Sequence, residues 1–495
     1  MTPRPWRRRC GLVPERNFAG GACRGNGDYQ TEDAFTFNEQ AGNPIAFCGS
    51  STLQREGHLA LSETRFSPNQ ERRGGPSSAV PALAAVAPGR GGLRTDVPVI
   101  LLGGSENTLS ITRNLGRLGI PIYVSGEAGC HAMRSRHCRK AFPVPKARHV
   151  ADFWAELLLG TEHPCFSGAI VLATCDDSLE FVARYQSELE RRYLLQQFLP
   201  NLRRAMLDKQ ATLELARSVG VPTPSFWPVD KDTDIDEICA QIALPVIVKP
   251  LNSQAFAQEF GRKLFIIRDS MQEVEEKVRL SQERGHEVMV VEMIPGPDSL
   301  LSSYYTFRTA TGERLFEYTK SIIRRWPVNR GGACFHQSEW LPETADMGRR
   351  LFEGIGWQGI ANVEFKRDLR DGKLKIIEVN GRFTAAHRLI TEAGAPIDLI
   401  VYCHLTGQVP PCFDSYSQSL RMWYPARDFL AFLQLRGRGE LSFGEWLRSV
   451  LARPFVLPNA SITDPWPAVR AFWMTCGQVV SQPARVLRRA IPQDS

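Results

Sequence analysis

The chain has 495 residues, 43% of them hydrophobic and 23% charged, with a net charge of +7. Domains run to about 100–200 residues, so two to four units fit, and collagen-like, mucin-like and fully disordered chains are excluded. Residues 1–95 hold 12 basic against 8 acidic residues and the remaining 400 hold 48 against 45, so the body lacks the basic field that nucleic acid needs.

No run approaches the roughly 18 apolar residues of a membrane-spanning helix. Nine histidines include no HExxH and no paired zinc spacing. Twelve cysteines form no CxxC. A chain this long needs no disulfide staples, so reduced, mostly buried thiols and a cytoplasmic location are expected.

In chain order, residues 1–95 read as a disordered leader. They open with Arg7-Arg8-Arg9, pass through Gly20-Gly21 and Gly25-Asn26-Gly27, and close with Pro88-Gly89-Arg90-Gly91-Gly92. Hydrophobic periodicity is absent, and an early Glu15 argues against a targeting signal.

Residues 96–200 read as an α/β domain. Val97–Leu102 is a buried-strand run, followed by Gly103-Gly104. Leu109, Ile111, Leu115 and Leu118 recur at near-helical spacing up to Gly119. Strands follow at 121–124 and 170–173, an alternation that predicts parallel strands with crossover helices. Two readings of Gly103-Gly104 stand side by side: a tight turn for packing, or an approach to a ligand. The full GxGxxG fingerprint is missing, which speaks against a dinucleotide site.

A second unit, 201–410, mixes strands and helices. Asp208 opens a helix through Leu215 and Val219, and Gly220 stops it. Strands are predicted at 245–249, 264–267 and 288–292, with a charged helix over 271–283. Residues 411–495 read as a mainly helical extension. The tail, with Arg485, Val486, Leu487, Arg488 and Arg489, suits packing on the body better than an anionic lipid surface. No internal repeat is found.

The sharpest local signal is Asn362-Val363-Glu364-Phe365-Lys366, a turn at Asp371-Gly372, then Lys375-Ile376-Ile377-Glu378-Val379-Asn380-Gly381-Arg382. Asp-Gly between alternating arms predicts a hairpin. Period-two geometry separates Glu364 from Val363 and Phe365, and puts Glu378 and Asn380 opposite Ile377 and Val379. Pairing about the turn brings Glu364 within about a residue of Glu378. Two carboxylates and an amide carbonyl are hard oxygen ligands that suit Mg²⁺ with sites left for phosphate. A solvated hairpin face is the bland alternative, although two facing glutamates repel without a cation. Lys209 begins a helix, and Lys249 and Lys320 end strand patterns; a compact ammonium suits a phosphate as a point charge.

With these residues in place, the chain resembles the ATP-grasp superfamily, most of all an uncharacterised carboxylate–amine ligase-like branch. The resemblance spans about 97–410 and rests on Lys209, Lys249, Glu292, Glu364 and Glu378-Val379-Asn380. It implies an ATP-grasp fold, α/β with an α+β central part, behind an N-terminal parallel lobe.

It also implies roles. Lys209 and Lys249 hold ATP phosphates. Glu292 and the backbone around Met293 and Ile294 meet adenine, and Asp298 meets the ribose. Lys320 is the further phosphate lysine. Glu364, Glu378 and Asn380 bind Mg²⁺, with Mn²⁺ as a substitute, and Arg382 steadies the transferring phosphoryl group. Where the family carries a glycine-rich flap, this chain has the glycine-poor 251–263, in which Ser253 and Lys263 are candidate phosphate contacts. Ile323-Arg324-Arg325-Trp326-Pro327 with Gly331-Gly332 resembles the branch's substrate loop, against a plain solvated basic loop.

The activity implied is an ATP- and Mg²⁺-dependent ligase. It activates a small-molecule carboxylate as an acyl phosphate for attack by an amine. The alternatives are a small-molecule kinase on the same fold and a non-catalytic ATP-binding regulatory protein. The expected partners are the two small substrates and a second copy in a homodimer, with no nucleic acid and no integral membrane contact. Cys334 and Cys403 are expected to be buried structural thiols rather than nucleophiles.

Overall fold

The computed structural model describes residues 92–473, except 162–165, 200–201, 203–204, 207, 231–232, 252, 453 and 472, and except the side chains of 253–255 and 258. The expected leader, apart from residues 92–95, and the tail around Arg485 lie outside the described residues.

The first sheet is built from β1 (Val99–Leu102), β2 (Ile122–Glu127), β3 (Cys138–Val144) and β4 (Ile170–Ala173). Its order is β3-β2-β1-β4, and all neighbours are parallel, as the strand–helix alternation predicts. The continuous apolar run of β1 is buried on both faces, as central parallel strands are. Helix Glu106–Arg117 packs Leu109, Ile111 and Leu115 into the core.

The Gly103-Gly104 turn serves packing. Both glycines have positive φ, and a Cβ on Gly103 would lie 2.1 Å from the Cys175 sulfur. A Cβ on Gly104 would lie 2.2 Å from the Thr108 hydroxyl. Gly103→Ala is therefore expected to destabilise the fold by about 2–4 kcal/mol, from a strained backbone plus overpacking. A denaturant melt checks this, and a change within 0.5 kcal/mol contradicts it.

The second sheet is antiparallel, as suits an α+β unit. It contains β5 (Phe226–Val229), β6 (Val246–Pro250), β7 (Phe265–Ile267) and β8 (Val288–Glu292), in the order β5-β8-β6-β7. Helix Met271–Glu283 buries Val274 and Val278 against it, and Ser270 caps its first turn through the Glu273 amide.

The third sheet has seven strands. They are β9 (Leu301–Arg308), β10 (Arg314–Trp326), β11 (Gly332–Ser338), β12 (Gly359–Arg367), β13 (Leu374–Asn380), β14 (Arg421–Trp423) and β15 (Phe455–Val456). The order is β13-β12-β9-β10-β11-β14-β15. The segment after 410 thus adds two strands at one end of the sheet besides its helices Pro425–Gly437 and Phe443–Leu451.

Strand alternation divides this sheet's labour. Tyr304, Ala361, Val363 and Phe365 face a core shared with helices Lys209–Ser218 and Pro342–Gly354. On the opposite face, Phe307, Phe316 and Ile360 pack with Ile400 and Val401 of helix Ile397–Leu405. Further along that same face the apolar residues give way to polar ones.

Among the described residues no helix is long and apolar enough to cross a membrane. The seven described cysteines are free, and Cys130, Cys334 and Cys403 are buried. Burial pushes the Cys334 thiol far up and the Cys403 thiol up to about 11, which suits structural thiols.

Candidate active site

Register builds the site. Across the seven-stranded sheet Glu378 pairs with Glu364, Glu364 with Ser303, Ser303 with Lys320 and Lys320 with Ser338. One row therefore runs from paired carboxylates to an ammonium. The row beside it holds Asn380, Asn362, Tyr305 and Tyr318. All of the first row's charged groups line a cleft of about 1470 Å³.

The two glutamates are directly opposite one another, closer in register than the sequence requires. One detail of the alternation fails. A bulge between Glu364 and Phe365 leaves Ile377 without a partner, so Phe365 pairs with Ile376. Ile376, not Ile377, is fully buried and joins Val379 in the core, while Ile377 is only partly buried. An extra residue on one strand re-aims its neighbours, and a strict period of two cannot anticipate it.

The donor set fits a hard divalent cation. Glu364 and Glu378 supply carboxylates. Asn380 spends its Nδ2 on Asn362 Oδ1 at 3.3 Å, which leaves its carbonyl oxygen as a donor to a cation. Among the described residues no group of three or more His, Cys, Asp or Glu side chains is arranged as a metal cage. Two carboxylates and an amide match Mg²⁺, which keeps waters and phosphate oxygens in its shell.

The lysines meet at the same cleft. Asp208 caps helix Lys209–Ser218 by accepting from the Gln210 and Ala211 amides, which sets Lys209 at the helix start. Its Nζ donates to the Pro250 carbonyl at 2.8 Å and to Leu251 at 3.2 Å, directly after Lys249. Burial, then the charge of Lys249, pushes Lys209 down to about 8. Lys249 donates to the Ile377 carbonyl at 3.4 Å, and burial lowers its pKa against the pull of Glu378. Lys320 is 2% exposed, and burial pushes it to about 8 against the pull of Glu364. Cations crowded into low dielectric are costly, and a polyanion relieves the cost.

The strand end at Glu292 is braced. Glu292 accepts from the Ser225 amide at 2.9 Å and pairs with Arg370, with Lys375 at 3.9 Å. Burial raises its pKa, but the Ser225 amide, Arg370 and Lys375 more than offset this. The carboxylate is therefore committed to bracing, and Glu292, Met293 and Ile294 line the cleft beside it. Lys366 donates to the carbonyls of Ile294 at 3.0 Å and Gly296 at 2.7 Å. Lys366 lies two residues beyond Glu364 on the same face, and that spacing is the signal in the sequence that marks it. Asp298 is buried in the cleft wall, accepts from the Asn329 amide at 3.0 Å with one oxygen, and keeps the other without a partner.

Arg382 reaches the N-terminal lobe, where its Nε donates to Asp176 at 2.6 Å. Lys263 and Met293 also line the cleft. Ser253 starts helix Ser253–Phe260, which occupies the position read as a glycine-poor flap. Phe256 and Phe260 of that helix cluster with Phe265 and His286, so aromatic packing holds the segment as a helix.

The two loop arginines part company. Arg324 is not a substrate-facing residue: it is buried, bidentate on Asp428 at 2.6 and 3.1 Å, and bonded to Ser449. Trp423 and Trp446 also donate to Asp428. Arg325 points the other way and lines the cleft, with its Nε on the Gly331 carbonyl. Asp428→Asn is expected to cost about 3–5 kcal/mol by stranding a buried guanidinium. Nucleotide affinity should stay within about twofold, measured by calorimetry on the folded variant.

His336, Tyr424 and Arg427 also line the cleft and were not singled out from the sequence. A lone histidine in a strand carries no signal until its neighbours are known.

No family model matches the chain. Among curated proteins it is 24% identical over 228 residues to D-aspartate ligase of Enterococcus faecium (strain Aus0004), covering 43% of this chain and 53% of that protein. It is 25% identical over 198 residues to D-alanine–D-alanine ligase of Chromohalobacter salexigens, covering 38% of this chain and 60% of that one. The matches thus span between half and two thirds of these relatives. Among solved structures, biotin carboxylase of Campylobacter jejuni in complex with β-γ-ATP superposes with a TM-score of 0.52 at 16% identity. That superposition covers 66% of this chain and 75% of the other, and it shows the fold. The chain has the ATP-grasp fold.

In ATP-grasp terms, the cleft lies where the four-stranded antiparallel sheet meets the seven-stranded one. Residues of both line it, among them Lys249 and Glu292 on one side and Lys320, Glu364 and Glu378 on the other.

Proposed function

We propose that this chain is an ATP- and Mg²⁺-dependent ligase that activates a small carboxylate as an acyl phosphate, which an amine then attacks. The observation that carries the reading is the single row of Glu378, Glu364 and Lys320 facing Lys249 and Lys209 across one cleft. Lys209, Lys249 and Lys263 hold the phosphates, and Ser253 stands at the start of the neighbouring helix. Main chain at Glu292, Met293 and Ile294 meets the base, and Asp298 meets the ribose. Glu364, Glu378 and Asn380 hold Mg²⁺, which neutralises phosphate charge when bound. Lys320 and Arg382 stabilise the phosphoryl group in flight, a matter of positioning and electrostatics rather than of a covalent enzyme nucleophile. The named ligases among the relatives support the class of reaction.

The test is ADP release from MgATP with a small-metabolite pool, in the presence of hydroxylamine. The reading expects a hydroxamate, formed when hydroxylamine captures the acyl phosphate. A stable phosphorylated alcohol instead makes the protein a kinase. A second reading, nucleotide binding without turnover, is favoured by the helix that stands in the flap position. Tight MgATP binding with no ADP release from any pool would establish it.

A further inference from the structure

His336 is the most conspicuous polar group in the cleft without a task. It is 2% exposed, and neither ring nitrogen has a hydrogen-bond partner. Buried polar atoms are rarely left so, and an orphan aimed into a cleft calls for a ligand. The strand register places it. His336 on β11 pairs with Ile322 on β10, two residues along from Lys320. Lys320, Ile322 and His336 therefore share the cleft face, with His336 diagonal to the ammonium.

Burial and the charge of Lys320 hold the imidazole neutral, well below its usual pKa. A neutral imidazole offers one N–H donor and one acceptor nitrogen. A group that satisfies the N–H while lying against an ammonium is an anionic oxygen. The surrounding wall includes Ile322, Tyr424 and Ala386, which leaves room for a small organic body.

We propose that His336 donates a hydrogen bond to the carboxylate substrate and holds it beside Lys320. The assignment rests on the ligase reading and names a residue that selects its acid. One carboxylate oxygen accepts from His336, and the other is left to attack the γ-phosphorus. In that step an O–P bond to the carboxylate forms and the bond to the β–γ bridging oxygen breaks. ADP leaves with the electron pair, and no proton is transferred.

The test uses the whole chain as wild type, His336→Gln and His336→Phe. Glutamine keeps an N–H donor and phenylalanine has none. Each is titrated calorimetrically with MgADP. The loaded protein is then titrated with formate, acetate, succinate, and L- and D-alanine and aspartate. A hydrogen bond to a charged group is worth about 1.5–3 kcal/mol, so its loss weakens binding by about tenfold or more. The expected result is equal MgADP affinity in all three proteins, with at least one carboxylate bound by wild type and His336→Gln and at least about tenfold more weakly by His336→Phe.

Equal carboxylate affinity in wild type and His336→Phe overturns the assignment. So does a wild type that binds MgADP and none of the acids. A wild type that binds no MgADP overturns the ligase reading itself, and this assignment with it. Should His336→Phe not fold, His336→Met serves as the donor-less variant.

Discussion

Glu378→Gln is expected to lower MgATP-dependent ADP release by about a hundredfold or more while leaving the fold intact. Glu378 faces Glu364 across one register step, and both line the cleft. Glutamine keeps the size and removes one of two full charges from the cation site. Losing one preorganised charge contact at a transferring group costs about 10²–10³ in rate. In the unliganded protein two effects oppose one another: the repulsion between facing carboxylates is relieved, and the support that Glu378 gives the Lys209 and Lys249 ammoniums is lost, so the net change in stability should be small. A second effect has the same sign: Glu378 supports the ammoniums of Lys209 and Lys249, so its loss also loosens their hold on phosphate. The measurement is ADP release against Mg²⁺ concentration, with a thermal melt as the folding control. Wild-type turnover at low Mg²⁺ in this variant would remove Glu378 from the cation site.

The second large effect is a trade between stability and turnover at Lys320. Lys320→Met is expected to stabilise the unliganded protein at pH 7 by up to about 3 kcal/mol, while turnover falls about a hundredfold or more. Its folded pKa is about 8, against 10.5 for an unburied lysine. Below pH 8 both states are charged, and the folded one bears the whole cost of the buried ammonium. Between about 8 and 10.5 the folded lysine has shed its proton while the unfolded one has not, so the wild type gains stability as pH rises. The advantage of Lys320→Met should therefore be full at pH 7 and gone near pH 10.5. Melts of both proteins across that range, paired with ADP release at pH 7, check the two halves. A variant destabilised at pH 7 would contradict the burial argument.

Much of this is legible in the sequence. Helix Met271–Glu283 and strand Val288–Glu292 fall within the bounds read from the sequence, because a Ser270 cap and an unbroken apolar run are local signals. The hairpin was legible for the same reason: Asp371-Gly372 sits between alternating arms, and Gly372 takes the positive φ such a turn demands.

What stayed hidden was non-local. The bulge at Ile377 depends on how β12 and β13 meet, and either strand alone reads as regular. Helix Ser253–Phe260 is held by rings from Phe265, just beyond it, and from His286, past the whole of the next helix. Arg324 and Arg325 are chemically identical neighbours, and irregularities in the β10–β11 pairing on either side of Arg324 break the alternation from Lys320 and Ile322, so that Arg324 faces Asp428, more than a hundred residues on, and Arg325 the cleft. His336 gains meaning only through Lys320 on the next strand. The sequence points to Glu292 as a base-contacting group, and the bracing of its carboxylate by Arg370 and Lys375 emerges only with the third sheet in place.

The most direct test is a crystal structure with Mn²⁺ and a non-hydrolysable ATP analogue, with the metal located by its anomalous signal. The account expects the ion bound by the carboxylates of both Glu364 and Glu378, with phosphates in reach of Lys209, Lys249 and Lys320. A nucleotide bound in the cleft with its metal away from both glutamates, or with its phosphates away from all three lysines, would contradict it.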